Sequence, residues 1–322
     1  MVRSAAAFGE REHNRGMHMI SRALAAFALT SLIAVAVPMA ALGEEPLTVT
    51  DVDGNAVFIE DISQVATLGG VFTETVYALG AEDHITAVDA SSFYPPEALS
   101  DKPNFGYYRF LSAEPVLAQG PSLIIGNEET GPPEVVSQIR DAGVPFLLLP
   151  DNNDIQAARD LITTLGMIFG RETEATNLIT ELDADVAAAE ALVEQTTERP
   201  RVLFILQPPE APLLVAGEVT AAGSMISLAG GENIYPGFPS YIPMTPEGIV
   251  ETAPDIILTT DASIERLGGW DAFRDMPGIA QTPAAEAGRI VAMDDLYLMG
   301  FGPRTGKAIA DLAMLLHPEL AP

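Results

Sequence analysis

The sequence predicts an α/β protein: two Rossmann-like lobes joined by a single long helix, with a ligand cleft between them. Three observations carry this. Short runs rich in Val, Ile and Leu alternate with helical patterns, the signature of buried parallel strands linked by crossover helices. A local unit recurs at an offset of 133 residues. Between its copies, residues 172–199 contain neither Gly nor Pro and are rich in Ala, Glu and Leu.

The chain opens with a leader. A positively charged start at Met19 to Arg22, an apolar run over residues 23–37 and small residues around Ala41-Leu42-Gly43 predict a secretory signal peptide cleaved before Glu44. Arg3, Arg11 and Arg15 precede it and read as an extension from an upstream start codon. No later run approaches about 20 apolar residues, so the expectation is a soluble mature chain.

Residues 44–171 form the expected N-terminal lobe, with strands over 85–90, 122–126 and 144–149 and helices over 71–79, 134–142 and 155–169. Prolines at the start of the second helix suit its first turn, where no backbone N–H is needed. The connector, residues 172–199, is expected to be one helix of roughly 38 Å at 1.5 Å per residue, a stiff link with little hinge freedom. Residues 200–322 form the expected C-terminal lobe, with strands over 201–206, 255–258 and 289–293 and a helix over 305–316.

The repeat sets Ser112-Ala113-Glu114, Pro121 and Leu123-Ile124-Ile125 against Thr245-Pro246-Glu247, Pro254 and Ile256-Ile257-Leu258. Each copy reads as hydroxyl cap, early glutamate, short helix, proline and buried strand. A second echo, at an offset of 150, sets Gly80-Ala81-Glu82 against Gly230-Gly231-Glu232. Two echoes in one order predict two related lobes, with a cleft at the C-terminal ends of their strands.

Composition removes several function classes. There is no cysteine, which excludes disulfides, thiolate metal sites, covalent haem attachment and cysteine nucleophiles. From Glu44 onward twelve Lys and Arg face forty-three Asp and Glu, a charge of about −31 that argues against nucleic acid as a partner and reads as solubility or a salty habitat. Only His84 and His317 follow the leader, too few for a zinc or manganese site and both expected on the surface. A mature length of about 280 residues allows two domains with separate cores.

The segment Gly106-Tyr107-Tyr108-Arg109-Phe110-Leu111-Ser112-Ala113-Glu114 sets a phenol and a guanidinium two positions apart just before a helix start. A tyrosine ionises near pH ~10, so it becomes an anionic oxygen ligand only where a cation or metal stabilises the phenolate. In an extended segment Tyr107 and Arg109 share a face and Tyr108 turns away; in any other backbone Tyr108 competes.

With its leader, its lack of cysteine and its two lobes, the chain resembles the substrate-binding proteins of ABC importers that deliver haem, corrinoids and ferric siderophores. Within that class, "GYYRFLSAE", "NEETGPPEVVSQIRDAGV", "TAAGSMISLAGGENIYPGFPSYIPMTPEGIVETAPDIIL" and "LYLMGFGPRTGKAI" look like periplasmic haem-binding proteins of haemin uptake systems. The resemblance implies ferric haem, ferric protoporphyrin IX, as the transported ligand, Tyr107 as its axial ligand and Arg109 as the supporting cation. A phenolate is a hard donor that suits Fe(III).

The same resemblance implies further contacts. The aromatic, proline-stiffened segment 235–244 would bring Tyr235, Phe238 and Tyr241 to the cleft to stack on a porphyrin, the alternative being aromatics packed on their own lobe. Some relatives use a C-lobe histidine; residues 201–316 have none, so one five-coordinate haem is expected. Glu114 and Glu247, early in matching helices, are expected to dock on arginines of an inner-membrane permease, although a carboxylate there also simply suits the helix dipole. Gly230-Gly231, Gly268-Gly269 and Gly302-Pro303-Arg304 read as turns. The implied setting is the periplasm, as a monomer served by an outer-membrane haem uptake system.

Two other readings compete within and beyond the class. A corrinoid or ferric-siderophore receptor of the same fold would share every feature except the ligand. A hydrolase is disfavoured because no Gly-x-Ser-x-Gly elbow appears, and a scaffold role would leave the cleft without a ligand.

Overall fold

A computed structural model of the chain describes residues 47–320 apart from 152, 209–211 and 236. The leader over residues 1–43 and its cleavage before Glu44 lie outside the described residues.

The described chain opens with a hairpin of β1 (Leu47–Thr50) and β2 (Ala56–Ile59), whose alternating exposure marks a two-stranded sheet with one face packed inward. The N-lobe sheet comes next: β3 (Val65–Leu68), α1 (Gly70–Ala78), β4 (Ile85–Val88), α2 (Pro96–Asp101), α3 (Ala113–Gln119), β5 (Leu123–Asn127), α4 (Pro133–Asp141), β6 (Phe146–Leu149) and α5 (Ile155–Ile168). Its strand order is β4-β3-β5-β6, all parallel, with Val65 opposite both Ile85 and Leu123 and Ile124 opposite Phe146. Strands buried on both faces have no reason to alternate, which is why these segments read as unbroken apolar runs.

The link is α6 (Glu172–Val193), 22 residues and about 33 Å long. It ends six residues before the expected boundary at Arg199, and residues 194–200 run on as a non-helical passage into the C-lobe.

The C-lobe contains β7 (Arg201–Leu206), β8 (Leu214–Val215), α7 (Ala221–Leu228), β9 (Glu232–Asn233), β10 (Ile242–Pro243), α8 (Pro246–Thr252), β11 (Ile256–Thr260), α9 (Asp261–Arg266), α10 (Trp270–Arg274), α11 (Pro283–Glu286), β12 (Ile290–Met293), α12 (Asp295–Met299) and α13 (Thr305–Leu316). Strands β7, β11 and β12 are parallel, β9 joins β7 in parallel, and the β8–β10 pair closes one edge antiparallel.

Both sequence echoes have structural counterparts. Glu114 and Glu247 each hold the second position of a seven-residue helix, α3 and α8. Each helix ends on a left-handed residue, Gly120 at φ 67° and Ala253 at φ 42°, before a proline and a central strand. The caps differ: Thr245 accepts a hydrogen bond from the Gly248 N–H at 3.2 Å, whereas the Ser112 side chain caps nothing. Gly80 and Gly230, the second echo, both turn left-handed at the ends of α1 and α7.

Two separate cores, which the length allows, are only part of the interior. Each lobe has a private apolar cluster, around Ala66, Ile124 and Phe146 in one and Leu203, Ile257 and Phe273 in the other. A third cluster runs through both lobes, joining Val65, Phe72 and Ile125 to Val202, Phe204 and Ile309 by way of Leu182 and Val186 on α6. Close approach of α13 to α6 requires Gly306, where a Cβ would lie 2.5 Å from the Cβ of Asp185. The lobes are thus fused along one seam, and apolar burial across it opposes their separation.

Candidate functional site

The loops that leave the C-terminal ends of the two sheets carry the candidate residues. After β4 the chain turns through residues 89–95 and α2, then returns beside the end of β4, with Val88 N–H bonded to Pro103 O at 2.9 Å and Ala90 N–H to Gly106 O at 2.8 Å. Gly106, at φ 82°, makes the turn that delivers Tyr107.

Beyond Tyr107 the backbone curls into one 3-10 turn, Tyr108–Phe110, closed by the Phe110 N–H on Tyr107 O at 2.9 Å. Tyr107 itself is extended, at φ -76° and ψ 129°, but the segment does not stay extended through Arg109, so of the two backbones the sequence allows it is the second that is found. Curling the backbone brings consecutive side chains round the axis instead of alternating them, and Arg109 meets Tyr108 rather than standing beside Tyr107 alone. Its Nε donates to the Tyr108 hydroxyl at 3.3 Å, and its guanidinium lies 5.5 Å from the Tyr108 ring. Its Nη2 forms an ion pair with Glu129.

The two phenols differ in setting. Tyr107 is 36% exposed, with its ring 4.7 Å from that of Tyr108 and 6.1 Å from that of the open Phe110. Tyr108 is half-buried, and burial, with the adjacent Tyr107 in second place, pushes its hydroxyl far above the ordinary phenol range despite Arg109. Loss of its proton is correspondingly costly, so Tyr108 is the poorer source of a phenolate.

The turn is held from below. The carboxylate of Asp89, buried at the end of β4, accepts from Gly69 N–H at 3.0 Å, from Ser91 N–H at 3.0 Å and from Tyr108 N–H at 3.4 Å. From the side, Leu111 N–H bonds to Gly131 O and Gly131 N–H to Tyr108 O.

An acidic wall flanks Arg109, made of residues to which the sequence motifs assign no role. Asn127, Glu128 and Glu129 come at the end of β5, and Asp151 soon after β6. The Asn127 amide donates to Asp151, and burial followed by Glu128 raises the Asp151 carboxyl above its ordinary range. Position is the signal that could have marked them: three polar residues directly after a buried apolar run, at the end where such sheets bind ligands.

Of the three C-lobe aromatics, Tyr241 lies near enough to Arg109 and Asp151 for their charges to act on its hydroxyl. It is packed 6.3 Å from Phe204, its hydroxyl donates to Met299 Sδ at 3.5 Å, and burial pushes it up to about 12, with Arg109 across the cleft among the effects that lower it. Tyr235 packs against the C-lobe's own core, edge-on to Phe238 at 6.1 Å and with its hydroxyl 3.7 Å from Met244 Sδ. Phe238 is 46% exposed. The backbone of its loop lies so close to Gly217 that a Cβ there would meet Phe238 O at 2.0 Å.

Glu114 and Glu247 are both exposed on the surface. The histidines depart from expectation. His317 is 2% exposed at the end of α13, and His84 is half-buried, its Nδ1 2.9 Å from Ile62 O and its ring 5.5 Å from Phe169. Among the described residues no group of three or more His, Cys, Asp or Glu could hold a metal ion, and no helix is long and apolar enough to cross a membrane.

This architecture has known counterparts. The periplasmic haem-binding protein RhuT of Roseiflexus sp. RS-1 superposes with a TM-score of 0.76 at 39% identity, over 80% of this chain and 99% of that one. The periplasmic haem-binding protein BhuT, solved with two haems, gives 0.73 at 35% identity over 80% and 99%. Among curated sequences, an ABC transporter substrate-binding lipoprotein of Bacillus subtilis is 23% identical over 85% of this chain and 86% of its own length. The vitamin B12-binding protein of Vibrio parahaemolyticus is 21% identical over 79% and 89%. The family described as periplasmic binding protein matches residues 65–297, from the first strand of the N-lobe sheet into α12. With a parallel N-lobe sheet and a mixed C-lobe sheet on either side of α6, and with the family match running over residues 65–297, this chain belongs to the periplasmic binding protein family.

Proposed function

We propose that this protein binds ferric haem in the cleft between its lobes through the Tyr107 phenolate and hands it to the permease of an inner-membrane ABC importer. The observation that carries the reading is the near-complete, 39% identical match to a haem-binding protein in a chain that presents an open tyrosine at the cleft. Its family and solved neighbours are binding proteins rather than enzymes.

In this reading Tyr107 supplies a hard anionic oxygen to Fe(III). Arg109 acts at one remove: bonded to the Tyr108 hydroxyl, it keeps a positive charge beside the site without a direct hydrogen bond to Tyr107. Tyr241 and Phe238 offer apolar faces to the macrocycle, while Tyr235 stays with its own lobe. Glu114 and Glu247, on α3 and α8, dock on arginines of the permease. The place of action is the periplasm, where the chain works as a monomer.

A second reading is supported by the curated relatives named as vitamin B12-binding proteins. Titration of the mature protein with ferric haem, cobalamin and a ferric siderophore separates the two. Haem bound tightest, with a high-spin tyrosinate spectrum, supports the first; cobalamin or the siderophore bound tighter replaces it.

A further inference from the structure

The turn between α12 and α13, Gly302-Pro303-Arg304, is more than punctuation. Arg304 donates through Nε and Nη2 to the two carboxylate oxygens of Glu74, at 2.8 and 2.7 Å. Glu74 lies on α1 in the N-lobe and its side chain is 5% exposed, whereas Arg304 belongs to the C-terminal part of the chain, 230 residues away. The guanidinium is also sandwiched: its carbon lies 3.7 Å from the centre of the Tyr94 ring on the N-lobe and 4.9 Å from that of Tyr297 on α12.

The surrounding backbone is fitted to this contact. At Gly302 a Cβ would lie 3.0 Å from Val71 on α1, and at Gly70 one would clash with Ser91 O at 2.2 Å and meet Leu296 of α12 at 3.0 Å. Phe301, buried, takes φ 45°, a left-handed conformation that a side chain adopts only when packing dictates it. Tyr297 is held in turn by Asp311 on α13, its hydroxyl donating at 2.8 Å.

We propose that Arg304 is the positioning residue that sets the spacing of the two lobes, with Glu74 as its partner and Tyr94 and Tyr297 as the plates that orient it. A buried ion pair is a weak source of stability but a demanding geometric constraint, because a planar fork satisfies both carboxylate oxygens in only one relative placement. Tyr94 lies just past the loop whose Ser91 and Ser92 bond to Asp89, and Asp89 also receives the Tyr108 N–H. The fastener therefore anchors the same loop system that presents Tyr107. Rigidity between the lobes is shared by α6, α13 and this pair, not supplied by the connector alone.

The absence of cysteine makes the test direct. Spin labels on Ser137→Cys in α4 and Glu251→Cys in α8, both exposed, report the interlobe distance by double electron–electron resonance in the full mature chain. Glu74→Gln and Arg304→Ala are expected to broaden that distribution about twofold or displace it, with Arg304→Lys intermediate, since a lysine keeps the charge and loses the fork and the stack. Asp51→Asn is the control: it removes a buried ion pair with Arg140 inside the N-lobe and should lower the melting temperature without moving the distance. A parent-like distribution in folded Glu74→Gln and Arg304→Ala overturns the proposal, as does an equal shift in Asp51→Asn. Should Arg304→Ala not fold, Glu74→Gln and Arg304→Lys decide. The readout needs no ligand, so it stands apart from the haem reading.

Discussion

Arg109 donates from Nε to the hydroxyl of Tyr108 at 3.3 Å, so the cation nearest the candidate ligand is bonded to that ligand's neighbour. The two tyrosines thereby differ in setting. Tyr108, half-buried and difficult to ionise, carries the guanidinium, and Tyr107 is the more open of the two.

Glu129 holds the other end of Arg109. Freeing the guanidinium with Glu129→Gln is expected to strengthen binding of haem, whose two carboxylates can then reach it. The pair is partly exposed, so the gain should be modest, about threefold in affinity. Haem dimethyl ester, which has no free carboxylate, should show no gain. Absorption titration with both ligands checks this, and equal effects on the two would rule the explanation out.

Glu114 and Glu247 occupy matching exposed positions on α3 and α8. Replacing each by alanine should leave haem binding unchanged and lower importer-dependent uptake into proteoliposomes about tenfold per site, equivalent to roughly 1.4 kcal/mol of docking energy. Uptake at the parent rate in the double variant would remove the docking role.

Two small residues give opposite stability tests. Gly306→Ala drives a methyl into α6, within 2.5 Å of Asp185 Cβ and 2.6 Å of Val186 N, and should cost about 1–3 kcal/mol. Ala253→Gly relieves a left-handed alanine at φ 42° that its repeat partner, Gly120, avoids, and should stabilise by about 0.5–1 kcal/mol. Urea denaturation of both variants measures the difference.

Much of the fold is legible in the sequence, for identifiable reasons. The strands of 122–126 and 201–206 are readable because double-sided burial writes continuous Val, Ile and Leu, and the repeat around Glu114 and Glu247 because each copy needs the same helix stop and strand entry. The edge pairs β8 and β10 are two residues each, too short for a period. Nor can the sequence show that a 3-10 turn follows Tyr107 directly, since that curl is held by Asp89 and Gly131, which are remote in the chain. The fastener is hidden for the same reason: nothing local to Arg304 names Glu74.

Stability should increase as pH falls into the ordinary carboxyl range. Burial is the first cause of raised carboxyl values at Asp89, Asp151, Asp261 and Asp295, all above the ordinary 3.8. A carboxyl raised in the folded state binds its proton more tightly there than in the unfolded chain. Its contribution is full below 3.8 and is lost as pH rises through the folded value. Relief of self-repulsion in so acidic a chain acts in the same direction. Asp61, lowered by the Ser63 N–H, opposes it but is exposed. The melting temperature is expected to be higher at about pH 4 than at about pH 7, and the reverse order would contradict these assignments.

The assignment of Tyr107 is tested most directly by the absorption spectrum of haem-loaded protein beside Tyr107→Phe and Tyr108→Phe. The parent and Tyr108→Phe should both show high-spin, tyrosinate-ligated ferric haem, and Tyr107→Phe should lose that spectrum together with most of its affinity. An unchanged spectrum in Tyr107→Phe, or its loss in Tyr108→Phe alone, would contradict the assignment.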